Sequence, residues 1–142
     1  DYALTNYGIV KTLIAAATSS ISTSVGGGVY ATSTPSTSLG NPGSYTSANA
    51  LCVAVDADTH VCTSEEILNT VNSGQAGNIP SGSTLWINNG PPAYTANAND
   101  CIGWTSTAST DFGAVWNRPS GYADGFGSLN RCNIARKFAC CK

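Results

Sequence analysis

Methionine is absent from this chain, histidine occurs once, at position 60, and only 10% of the 142 residues are charged. Each shortage narrows the field. With a net charge of −2 there is no cationic excess to neutralise phosphates, so nucleic acid is not an expected partner. One imidazole leaves His60 as the sole histidine for general-base or zinc chemistry. No apolar run approaches the ~20 residues that span a bilayer, so no transmembrane segment is expected. Near the start the longest such run is LIAAA, residues 13–17, with no basic segment before it. No signal peptide is expected, and the chain reads as mature or as an expressed fragment. Gly26-Gly27-Gly28 follows no strand and precedes no helix, so it is not a phosphate-binding loop.

Serine, threonine, asparagine and glycine take the place of charge, so the surface is polar mainly through hydroxyl and amide groups. The charges are unevenly placed. Five of the six basic residues lie from Arg118 onward and seven of the eight acids lie before it, which suggests a mildly basic patch on the last strands or ordinary solvated surface. Six cysteines in such a chain favour an oxidising compartment, either secreted or on a cell surface. Zinc is the competing reading. It fits poorly, because Cys52 and Cys62 are too far apart for a knuckle and Cys140-Cys141 is not a CxxC pair.

Residues 1–28 stand apart. Tyr7, Val10, Ile14, Ala17 and Ile21 recur at three- and four-residue spacing, an amphipathic helix pattern, and the glycines at 26–28 form a hinge after it. The polar face of that helix is Thr, Ser and Asn, so the seam needs a partner, either its own domain or another subunit. Residues 29–142 read as one α+β domain. A short strand at Val29–Thr32 precedes a loop rich in Pro and Gly. A helix then starts near Ser44 or Thr46, with Ala48, Leu51, Cys52 and Val55 as its apolar face. Thr63 with Glu66 three residues later is a capping-box pattern, and it opens a helix over about 64–72. Thr84–Ile87, Cys101–Thr105 and Ala114–Trp116 are strand candidates, and the middle of RCNIARKFACCK (131–142) is the closing strand. Side chains alternate along a strand, so Cys132, Ile134, Phe138 and Cys140 share one side, with Ala135, Ala139 and Cys141 on the other. Cys140 and Cys141 therefore bond to different partners; a strained vicinal bond between them is the alternative.

The order strand, helix, helix, short strands and long loops resembles the C-type-lectin-like fold in a divergent bacterial form, over about four-fifths of the chain. YTSANALCVAVDADTHVCTSEEIL looks like that fold's two-helix segment. Leu85-Trp86-Ile87 resembles its core strand, with Asn88 where the family usually has glycine. Cys132 and Cys140, with the Phe-x-Cys ending, resemble its closing cysteine pair. The resemblance implies that Cys52 bonds Cys140 and that Cys101 bonds Cys132. Cys62 and Cys141 are extra to the pattern and would bond each other.

Sugar-binding members of the family hold calcium through a carboxylate beside a loop proline. Here the comparable loop reads Gly90-Pro91-Pro92, and Asn99-Asp100, with Asn89 and Asn97, is only a partial echo, so no cofactor is expected and calcium is a weak candidate. Many proteins with this fold bind proteins or surfaces without metal, and the expected function is extracellular recognition of a protein or glycan. Tyr94, Asn97, Trp104, Trp116, Asn117, Arg118 and Tyr122 lie in or beside the loop-rich half and are the candidate ligand contacts; for the tryptophans, a core role is the competing reading. His60, Cys62 and Glu65 can be drawn together as a nucleophile and base, but Cys62 is expected to be bridged, and catalysis is not expected. The alternative function is a filament subunit assembled through the N-terminal helix.

Overall fold

The computed structural model describes residues 27–89 and 99–142. The expected N-terminal helix, with Tyr7, Val10, Ile14, Ala17 and Ile21, lies outside the described residues, as do Tyr94 and Asn97. The described part is an α+β unit in which two nine-residue helices pack on a six-stranded sheet.

The chain runs β1 (Tyr30–Ser33), α1 (Tyr45–Val53), β2 (His60–Val61), α2 (Ser64–Asn72), a 3-10 turn (Ala76–Asn78), β3 (Ser83–Trp86), β4 (Phe112–Arg118), β5 (Phe126–Arg131) and β6 (Lys137–Cys141). The last strand pairs with three others, β1, β2 and β3. β1 lies antiparallel on one side of it. On the other side β3 runs parallel beside Lys137 and Phe138, and β2 pairs antiparallel with Cys140 and Cys141. β4 and β5 continue the sheet outward from β3 as an antiparallel hairpin.

Both helices start at the side-chain caps legible in the sequence. The Ser44 hydroxyl accepts the Ser47 N–H, and at α2 the full capping box forms between Thr63 and Glu66. α2 matches its expected span. α1 departs from expectation in what it buries: only Ala48 and Cys52 face the core, while Leu51 and the post-helical Val55 are exposed. The cause is the bridge from Cys52 to Cys140, which holds the helix with 5.5 Å between Cα atoms; at that separation only small side chains fit between helix and sheet.

Side-chain alternation along β6 organises the interior. Phe138 and Cys140 face one core with Trp86, Trp104 and Val115; Ala139 and Cys141 face the other with Tyr30, Ile67 and Leu85. Cys140 bonds Cys52 of α1 and Cys141 bonds Cys62, the residue after β2, so adjacent cysteines fasten opposite faces of one strand. The third bridge joins Cys101 to Cys132. The pairings are those that the resemblance implies, and no described cysteine is free.

Two sequence expectations fail here. Cys132 is not on the closing strand: the chain turns at 132–135, with the Cys132 N–H bonded to Asp111 O and the Ile134 N–H to Arg131 O. Cys101–Thr105 is not a strand either. Asp100–Trp104 is a compact turn whose residues take φ of 54° to 64°, the left-handed region, at a cost of roughly 1–2 kcal/mol per non-glycine residue. The Cys101–Cys132 bridge, the Asn99 side chain accepting the Ile102 N–H and the burial of Trp104 hold it. Gly40 passes so close to this bridge that a Cβ there would meet Cys101 Sγ.

Cys141→Ser should leave an alkylatable thiol at Cys62 and lower the unfolding free energy by about 2–5 kcal/mol, the usual cost of losing a bridge that closes a long loop. Urea denaturation with mass mapping of alkylated cysteines checks it; a Cys62 that stays protected would contradict the pairing.

Candidate functional site

Among the described residues, the β4–β5 hairpin carries the exposed aromatic side chains of the loop-rich half. β4 buries Ala114, Val115 and Trp116 in the cores, whereas β5 is the edge strand and leaves Phe126 and Leu129 exposed. Tyr122, 60% exposed, meets Phe126, 44% exposed, edge-to-face with ring centroids 5.7 Å apart. Two outward aromatics in mutual contact form an apolar platform on an otherwise hydroxyl-rich surface.

The connection beneath that platform is held from below. The Trp116 indole N–H donates to Asp124 O at 3.1 Å, and Arg118 Nε donates to Ala123 O at 3.0 Å while its Nη1 donates to Ile79 O. Gly125, at φ +84°, passes directly over Trp116 and Asn117, and a Cβ there would collide with the Asn117 carbonyl. The segment between the strands is thus tied to the core by an indole and a guanidinium.

On the opposite face of β5 a groove of about 600 Å³ runs between the start of α2 and the hairpin, with Ser64, Ile87, Asn89, Ala114, Gly127 and Leu129 along it. Its lining is mostly apolar, and at one end the Ser64 hydroxyl donates to Asn89 Oδ1 at 3.1 Å.

The candidate contacts separate into three groups. Tyr122 is on the surface. Trp104 and Trp116 are core residues, a correction to their placement among the ligand contacts: Trp104 packs against Trp86 at 5.6 Å and Phe138 at 4.9 Å, and its indole N–H donates to Asn88 Oδ1. Asn117 and Arg118 are committed within the fold, Asn117 accepting from Thr84 Oγ1 and Arg118 holding the hairpin connection. Phe126, which the sequence reading did not single out, is exposed beside Tyr122; its position on an edge strand depends on pairing that local sequence does not display.

Asp100 is buried, at 1% exposure, at the foot of the segment between Asn89 and Asn99. Its carboxylate accepts the Asn89 N–H at 3.1 Å and the Tyr45 hydroxyl at 3.0 Å, so this carboxylate serves the fold by tying the two ends of that segment together. Asn99 Oδ1 accepts the Ile102 N–H. Among the described residues no group of three or more His, Cys, Asp or Glu side chains is placed to hold a metal ion. Burial raises the Asp100 carboxyl above its usual range, opposed by bonds from Asn89, Tyr45 and Ala114. Burial, and then the Asp100 charge, push the Tyr45 phenol up to about 12, so it stays protonated and donates. His60 Nε2 lies 2.7 Å from Glu66 Oε1, the same residue that caps α2, and Cys62 is consumed in its bridge.

No family model matches this chain, and neither a curated protein nor a solved structure matches it.

A buried acid with a raised native pKa stabilises most below the unfolded value of 3.8, and that contribution is lost as pH rises through the native value. Asp100→Asn keeps an acceptor for Asn89 and removes the titration. Its Tm relative to the parent should therefore climb between about pH 4 and about pH 7. Thermal melts of both proteins across that range check this; a difference that does not change with pH would refute it.

Proposed function

We propose that residues 29–142 form an extracellular recognition module of C-type-lectin-like fold that binds a protein or glycan without catalysis. Several features support the lectin-like reading. The first and last strands pair, two helices follow the first strand, a bridge ties the first helix to the last strand, and a second bridge closes the late strands. Three disulfides fit an oxidising compartment, and among the described residues no helix is long and apolar enough to cross a membrane.

The observation that carries the binding reading is the Tyr122–Phe126 pair. Exposed aromatics held rigidly are the usual anchors of recognition, because they offer a large contact area and have little conformational entropy left to lose. The ties from Trp116 and Arg118 meet the rigidity condition. The filament-subunit alternative rests on residues 1–25.

Replacing both Tyr122 and Phe126 by alanine should lower affinity at least about tenfold for whatever the domain captures on a printed array of glycans and extracellular proteins. The Tm should move little, since both side chains are exposed. Unchanged array binding by the folded double variant would reject the hairpin as the contact surface.

A further inference from the structure

A pocket of about 320 Å³ opens between the start of β3, the end of β1 and the start of β6. This volume is at the low end for small-molecule sites, about 300–1,000 Å³, and suits a ligand of one ring rather than a chain.

Its lining is chemically biased. Arg136 and Lys137 supply two cations, Ser33, Thr37, Ser81 and Ser83 supply hydroxyls, and no carboxylate lines it. The two ion pairs found among the described residues are His60–Glu66 and Lys142–Asp56, so neither pocket cation is neutralised there. This local positive charge stands in a chain of net charge −2.

A second, independent observation concerns individual atoms. Among the described residues, the buried side-chain polar atoms without a hydrogen-bond partner are Ser83 Oγ and Arg136 Nε, and both residues line this pocket. A buried donor left unsatisfied costs about 1–3 kcal/mol, and more when charged. Both atoms belong to residues that line one opening, where a ligand acceptor can recover part of that cost. The Arg136 backbone is fixed, pairing with Ser38 through both its N–H and its carbonyl, so the side chain is presented from a rigid base.

We propose that this pocket binds an acidic monosaccharide unit, a uronate or a sulfated hexose. Arg136 and Lys137 take the anionic group, and the serine and threonine hydroxyls, each both donor and acceptor, pair with the ring hydroxyls. The lining holds no aromatic platform on which a neutral sugar can stack, so the anionic group supplies the discrimination. The pocket borders the base of the Tyr122–Phe126 hairpin, where Ser83 pairs with Arg118, but the proposal does not depend on that aromatic surface binding anything.

Isothermal titration of the full chain with sodium glucuronate, glucose 6-sulfate, glucose and sodium sulfate tests the proposal. The two acidic sugars should bind, glucose at least about tenfold more weakly, and the affinity should fall as salt is added. Arg136→Gln should weaken acidic-sugar binding about 10- to 100-fold, the scale of a charge-assisted bond, and Ser83→Ala by a smaller factor. Both variants should keep the parental Tm, and Tyr122→Ala should leave this binding intact. Failure of both acidic sugars to bind, equal binding of glucose, or parental affinity in a folded Arg136→Gln variant would overturn the proposal. Sulfate alone binding as tightly as the acidic sugars would overturn its saccharide part.

Discussion

Two covalent bonds leaving adjacent residues in opposite directions set the plan of this protein. Because side chains alternate along β6, Cys140 reaches Cys52 through one face of the sheet and Cys141 reaches Cys62 through the other. α1 and the entry to α2 are thus clamped on either side of the central strand. Among the described residues, short strands, two nine-residue helices and few charges offer little else of comparable strength to hold the two cores in register. The small residues on the inner face of α1 follow from the same constraint, since a helix drawn that close to a strand leaves room for Ala48 and Cys52 and turns Leu51 outward.

Covalent and capping chemistry was the part of the architecture most legible in the sequence. Thr63 and Glu66 announce α2 because a capping box is a local pattern, and Cys140-Cys141 announces two partners because alternation is local too. Non-local features were harder to see. Residues 101–105 carry the apolar composition of a strand, yet they turn because Cys101 is held by Cys132 and Trp104 is drawn into the core beside Phe138. Phe126 and Trp116 look alike in composition, but one lies on the edge strand and the other between two neighbours, a distinction that only the strand order reveals.

The candidate surfaces were legible to different degrees for the same reason. Tyr122 sits in a turn-rich stretch and could be singled out from composition. Arg136 and Lys137 were visible only as part of a basic C-terminal third; their meeting with Ser33 and Ser83 depends on β6 lying between β1 and β3. Asp100 stands out in the sequence as a carboxylate beside Asn99, whereas its bonds to the Asn89 N–H and the Tyr45 hydroxyl depend on the fold.

The reciprocal bonds between Val29 and Lys142 place the two ends of the domain side by side, and this has a mechanical consequence. Tension applied across those ends peels β1 from β6 one rung at a time and soon reaches Cys52, where the load passes through sulfur to Cys140. Everything between Cys52 and Cys140, including the hairpin and most of the sheet, lies inside that covalent loop and carries no tension. Such a domain lengthens under load by little more than the 29–52 stretch, and it keeps its outward face in shape while it is being pulled.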